Sequence, residues 1–268
     1  MEKKLKSWQG WLLFGGTMVV VFVLGMIAAS VNERHAEVTS VMNNKKTEIT
    51  GIEARNDKFE SNYPREYQTW EATADTSFKS LYNGNQAVDV LEARPEMVIL
   101  WAGYAFSKDY STPRGHMHAI EDMRNTLRVG APMTENEGPQ PATCWTCKSP
   151  DVPRMMQAMG VDNFYKGKWA SLGKEIMNPI GCADCHEPEN MNLHISRPAL
   201  IEAFQRQGKD ITKATQQEMR SLVCAQCHVE YYFKGDGKYL TFPWDKGSTV
   251  EDMEAYLMRP VSPIIRIS

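Results

Sequence analysis

The sequence predicts a mainly α-helical chain with long loops, led by an apolar N-terminal segment. Three observations predict it. Helix start and stop signals recur along the chain, whereas the alternation expected of strands is scarce. Residues 7–32 carry no charge. All six cysteines fall into three C-x-x-C pairs with none left over. A length of 268 residues suffices for one large domain or two small ones, and 42% hydrophobic content fits a globular protein. A formal net charge of −3 gives no reason to expect a nucleic-acid partner.

The first element is the apolar segment. Lys3, Lys4 and Lys6 precede it, and its heart, Trp11 to Ser30, is 20 residues long. As a helix rising about 1.5 Å per residue it spans roughly 30 Å, one hydrocarbon core. The basic flank stays cytoplasmic, which puts the rest of the chain on the periplasmic side of the membrane. The run exceeds the usual signal core of about 7–15 residues, which favours an uncleaved anchor; Ala28-Ala29-Ser30 offers a cleavage site, which keeps a signal open. A buried soluble helix fits poorly, because the segment has no polar face. Residues 1–31 are therefore read as anchor or signal. Residues 32–58, polar and mixed in charge, are read as a linker, either a solvated spacer or a helix leaving the membrane. Aromatics from Phe59 onward mark the globular part, taken as 59–256.

Within that part, Thr112-Pro113 reads as a helix start, with Gly130 and Pro132 as its end. His116, Ile120, Met123 and Leu127 share one face of it, and His118 lies about 200° round from His116. Ser196-Arg197-Pro198 opens a helix with Leu200, Ile201 and Phe204 as its apolar stripe and Gly208 as its stop. Thr215-x-x-Glu218 reads as a capping box, and the helix it opens runs through Met219, Leu222 and Val223 into Cys224.

The three cysteine pairs carry the chemistry. Cys182-Ala-Asp-Cys185-His186 and Cys224-Ala-Gln-Cys227-His228 are C-x-x-C-H units, the attachment signal for c-type haem. Each cysteine forms a thioether with a vinyl group, and the adjacent histidine reaches the iron. A zinc ribbon would separate its pairs by about 15–20 residues. Here 34 residues separate Cys147 from Cys182 and 38 separate Cys185 from Cys224. Zinc also leaves the two trailing histidines unexplained.

The first pair, Cys144-Trp-Thr-Cys147, ends in Lys148 where the others have histidine. A free lysine has a pKa of about 10.4. It ligates only as the neutral amine, so iron must displace its proton. An amine lacks the imidazole π-system and so alters the electronics of the iron. A haem with two histidines only passes electrons; a lysine-ligated haem is a candidate for an open face where substrate binds. The plain alternative is a surface lysine following a disulfide.

The motif C-W-T-C-K followed by two C-x-x-C-H units resembles the pentahaem cytochrome c nitrite reductases, which form ammonia. Further stretches share the resemblance: Tyr63-Pro64-x-x-Tyr67, Arg94-Pro95-x-Met97-Val98, Leu100-Trp101-Ala102-Gly103-Tyr104, Lys148-Ser149-Pro150-Asp151-Val152, Gly167-Lys168-Trp169 and the run Cys227 to Phe233. It covers roughly Phe59 to Ala255. It implies a multihaem cytochrome c fold and six-electron reduction of nitrite to ammonium. Lys148 would ligate the catalytic haem held by Cys144 and Cys147. Arg114 would hold the anion and Tyr231 would donate a hydrogen bond or proton. Glu230, with the backbone of Tyr231, would bind calcium, a hard cation that takes oxygen ligands. His116 would be the distal ligand of a bis-histidine haem. The residues alone do not choose between Tyr231 and Tyr232, both of which could be packing aromatics. A small membrane multihaem quinol dehydrogenase and a homodimer are the implied partners.

The sequence departs from the family in having three haem motifs rather than five. Residues 257–268 do not resemble it and read as a frameshifted or prematurely ended tail. Two bis-histidine haems need four axial histidines; His186, His228 and His116 supply three. The expectation is a catalytically incomplete polypeptide whose haem-facing surfaces lack covering helices. Two further readings stay open: a membrane-anchored electron-transfer cytochrome without substrate chemistry, which Lys148 speaks against, and a multihaem reductase of hydroxylamine or another small oxyanion.

Overall fold

The computed structural model describes residues 7–43, 45–82, 84–126 and 140–258. The chain divides into two compact units between Lys46 and Thr47.

The first unit is one helix, α1 (Ser7–Asn43). Over Ser7–Ser40 it is long and apolar enough to cross a membrane, and its apolar side chains are exposed. Thr17 lies inside this apolar run, and its hydroxyl donates back to the Leu13 carbonyl at 2.8 Å, so it leaves no unpaired polar group. The helix continues through the polar residues 33–43: of the two readings of that stretch, spacer or helix, the helix forms.

The second unit begins at Thr47, ahead of the change in texture at Phe59. Asn62 accepts the Thr47 N–H at 3.0 Å and donates to its carbonyl at 2.7 Å, which folds the incoming strand of chain onto the turn after Phe59. Short helices joined by loops follow: α2 (Pro64–Glu71), α3 (Ala119–Asn125), α4 (Asp151–Met159), α5 (Val161–Lys166), α6 (Pro198–Arg206), α7 (Gln216–Ala225) and α8 (Val250–Leu257). Among the described residues the sheet content is one antiparallel hairpin, β1 (Tyr232–Lys234) with β2 (Tyr239–Thr241), in the register Phe233 opposite Leu240. The core gathers Trp145, Val152, Phe164, Tyr165, Leu200 and Phe242, all fully buried. The mainly α fold with long loops is thus present.

The helices form where the local chemistry directs them. Pro198 occupies the first turn of α6, where its missing N–H costs nothing, and Gly208, at φ +75°, closes it. Thr215 and Glu218 cap α7 reciprocally: the Thr215 N–H donates to the Glu218 carboxylate at 2.8 Å, and the Thr215 hydroxyl accepts the Glu218 N–H at 3.3 Å. The expected start at Thr112 is corrected. Thr112 donates its N–H to the Val88 carbonyl at 2.9 Å, and its hydroxyl bonds the Gln86 carbonyl and the Val88 N–H. Its side chain serves a distant segment rather than free helix amides, so regular structure starts only at the 3-10 turn His116–His118 and continues as α3. Leu127, Gly130 and Pro132 lie outside the described residues.

Candidate haem-binding site

Each cysteine pair sits on a tight helical turn. The first begins inside the 3-10 turn Ala142–Trp145, fixed by Trp145: its ring stacks on Trp169 at 4.6 Å and 14°, and its Nε1 donates to the Trp169 carbonyl at 2.9 Å. The second is the single helical turn Cys182–Cys185. Its N–H at Cys182 donates to Asn56 Oδ1, and a Cβ on Gly181 would lie 1.8 Å from that same oxygen, so only glycine admits Asn56. The third closes α7, with the His228 N–H bonded to the Cys224 carbonyl. A helical turn brings residues three apart onto one side, which suits two cysteines that must reach one ring.

A cavity of about 510 Å³ opens between these turns, in the usual range for a cofactor site. Arg114, His116, Cys147, Lys148, Cys185, Cys224, Cys227 and His228 are on its wall. The rings of His116 and His228 have centres 6.2 Å apart at 38°. Two imidazoles on opposite sides of one metal should have ring centres about 6.2–6.6 Å apart, given metal–nitrogen bonds of about 2.0–2.1 Å and about 1.1–1.2 Å from ring nitrogen to ring centre. That spacing of ring centres would suit two ligands of one iron. Burial, and next to it the nearby His228, holds the His116 pKa below its ordinary value, which favours the neutral, ligating form.

His186 stands off this cavity. Its Nδ1 lies 2.7 Å from the Met191 carbonyl. That partner requires Nδ1–H and leaves the Nε2 lone pair free for a metal, the usual orienting contact of an axial histidine. Burial pushes the Cys182 and Cys185 thiols up to about 11. Cys147 and Cys227, from the first and third motifs, are both on the cavity wall, and the neighbouring Cys227, together with Arg197 and Lys148, lowers the Cys147 thiol to about 7. All six cysteines are free, and among the described residues no group of three His, Cys, Asp or Glu side chains is placed to hold a metal ion. Neither three disulfides nor a zinc ribbon is formed. The donor set fits covalent haem.

The other expected residues are placed less uniformly. Arg114 is on the cavity wall, but Nε and Nη2 are held by Asp122, with Nη2 also 3.1 Å from Glu121. Tyr231 is not on that wall; it is 44% exposed and its ring packs on Phe233 at 5.9 Å. Glu230 is exposed and accepts the Tyr232 hydroxyl at 2.5 Å, which pushes the Tyr232 pKa up to about 12. Of the two histidines near α3, His116 faces the cavity, while His118 is tied to the Ala74 carbonyl and to Glu121. Sequence reasoning missed Arg197, Asp184 and Gln226, which are buried between the motifs. The signal for two of them was their place: the third position of C-A-D-C and of C-A-Q-C.

Residues 55–260 match the family described as Cytochrome c552. The chain belongs to the cytochrome c552 family. It is 77% identical over 256 residues to a cytochrome c-552 of Bacteroides fragilis, covering 96% of this chain and 52% of the relative. It is 72% identical to that of Porphyromonas gingivalis, covering 95% and 51%. Among solved structures it is similar to the catalytic subunit of cytochrome c nitrite reductase from Desulfovibrio desulfuricans, described as having two calcium sites. The TM-score there is 0.70 at 33% identity, over 78% of this chain and 48% of the other. The chain thus spans about half the length of the curated cytochrome c552 relatives it matches, and it shares the multihaem cytochrome fold.

Proposed function

We propose that this cytochrome c552 chain takes part in the six-electron reduction of nitrite to ammonium: nitrite, eight protons and six electrons give ammonium and two waters. One observation carries the reading. Lys148 and Arg114 are on the wall of the same cavity as the His116–His228 pair. Cys144, Cys147 and Lys148 would hold a haem that would supply the site of reduction, and Cys182, Cys185, His186 and Cys224, Cys227, His228 would hold haems that would pass electrons to it. Arg114 holds the anion against water and offsets its charge. Among the described residues Nη1 makes no hydrogen bond, and it is the donor for the anion. Tyr231 supplies a proton, and Glu230 with the Tyr231 carbonyl takes a calcium ion. The whole protein works on the periplasmic side, with α1 as anchor or signal, draws electrons from a membrane quinol dehydrogenase cytochrome, and pairs as a homodimer.

The occupied guanidinium of Arg114 and the outward Tyr231 favour one second reading, an electron-transfer cytochrome without substrate chemistry. Expression with haem-maturation machinery able to handle C-x-x-C-K separates them. Intact mass and pyridine haemochrome should give three haems per chain, and nitrite should perturb the spectrum of one haem in the wild type and none in Lys148→His. Two haems, or three that ignore nitrite, would leave the electron carrier.

A further inference from the structure

Arg197 has no solvent exposure, yet it carries a permanent charge. Its partners come from all three cysteine motifs. Nε donates to the Thr146 carbonyl at 2.6 Å and Nη2 to the Ser149 carbonyl at 2.9 Å, so one guanidinium grips the backbone on both sides of Cys147-Lys148. Nη2 also meets Asp184 Oδ1 at 2.5 Å, and Nη1 donates to Ser196 Oγ at 2.6 Å. The Arg197 N–H donates to Gln226 Oε1 at 3.2 Å.

Thr146, Asp184 and Gln226 occupy the same place, the third position, in C-W-T-C, C-A-D-C and C-A-Q-C. The cluster is closed on itself. Asp184 Oδ2 accepts the Gly181 N–H at 2.8 Å, and the Asp184 carbonyl accepts Gln226 Nε2 at 2.8 Å and Ser196 Oγ at 2.7 Å. Gln226 is 1% exposed and Asp184 2%. A buried charge is tolerated when it is paired and hydrogen-bonded, and this one is paired with Asp184 and makes four side-chain hydrogen bonds.

We propose that Arg197 is the positioning residue of the lysine-ligated site: by clamping the Thr146 and Ser149 carbonyls to Asp184 and Gln226, it fixes where Lys148 stands relative to the other two motifs. This rests on the reading of Cys144, Cys147 and Lys148 as a haem site. Lysine at position 197 keeps the charge but lacks the planar fork, so it cannot hold both carbonyls and the carboxylate. The amine of Lys148 is on a flexible stem, so its approach to a metal depends on how firmly its backbone is held.

The test uses the full chain with its haems attached, in the wild type, Arg197→Lys and the double variant Arg197→Met/Asp184→Leu. The double variant removes a neutral pair, so it adds no net charge and leaves no orphaned ion. Three haems in the wild type establish the underlying reading; two would defeat that reading and not the clamp. In both variants, electron paramagnetic resonance should show a changed lysine-haem signal beside unchanged signals from the two histidine-ligated haems. The oxidised-to-reduced ratio of the lysine haem at fixed potential should shift tenfold or more, about 59 mV for one electron. Selective loss of the haem on Cys144 and Cys147 would also support the clamp. Three haems with a wild-type lysine signal and potential would overturn it. So would loss of all three haems in both variants, since that is a general folding defect.

Discussion

Replacing His116 with leucine should open one coordination position on the haem of the third motif. The ring centres of His116 and His228 are 6.2 Å apart. With the ligating nitrogens on the line of centres, subtracting about 1.1–1.2 Å at each ring would leave about 3.9 Å, room for two metal bonds of about 2.0 Å. An iron bound by both rings would offer no position to a diatomic ligand. Leucine removes the ligating nitrogen and leaves an apolar pocket beside the iron. The assay is carbon monoxide binding to the dithionite-reduced chain, counted per chain against haem content. The variant should bind one more carbon monoxide than the wild type. His116→Met should restore the wild-type count and raise that haem's potential, as methionine ligation does. Equal counts in the wild type and the leucine variant, at equal haem content, would refute the shared-iron geometry.

Other outcomes follow from the packing. Trp145 is fully buried, stacked and hydrogen-bonded, so Trp145→Ala should cost about 3–5 kcal/mol in a urea melt and empty the first motif first. Gly181→Ala drives a methyl into Asn56 and should cost about 1–3 kcal/mol, with the loss of haem on Cys182 and Cys185 read by intact mass. Burial lowers the pKa of His194, opposed in part by Glu187; its Nδ1 is buried with no hydrogen-bond partner among the described residues. Its unfolded form therefore binds a proton more readily than its folded form. The stability it contributes is complete above about pH 6.5 and is lost as pH falls toward and through the lower folded value. Before haem attachment, His194→Leu should flatten the dependence of the urea midpoint between about pH 7 and pH 5; an unchanged slope would place the titration elsewhere.

Local chemistry was legible in the sequence where it acts locally. The Thr215–Glu218 box and the Pro198 and Gly208 punctuation are decided within a few residues, and those helices stand where expected. Thr112 carries the same kind of signal, but its hydroxyl is taken by residues 86–88, a partner that no short window reveals. The same divide runs through the site. Cysteine and histidine spacing announces haem, because attachment geometry is local. The meeting of the first and third motifs at Cys147 and Cys227 depends on the path of the loops between them. Arg197 reads in sequence only as the residue before a helix-starting proline; its burial comes from three distant segments closing over it.

The clamp around the first motif is local in outline and non-local in its fixing. The helical turns of the three cysteine motifs close within a few residues. The Thr146 and Ser149 carbonyls, by contrast, are held by Arg197, 51 and 48 positions further along the chain, behind a buried ion pair with Asp184. Contacts that close such long loops bear a larger entropy cost than local turns do. The mutual placement of the motifs is therefore the part of this fold that waits on distant chain.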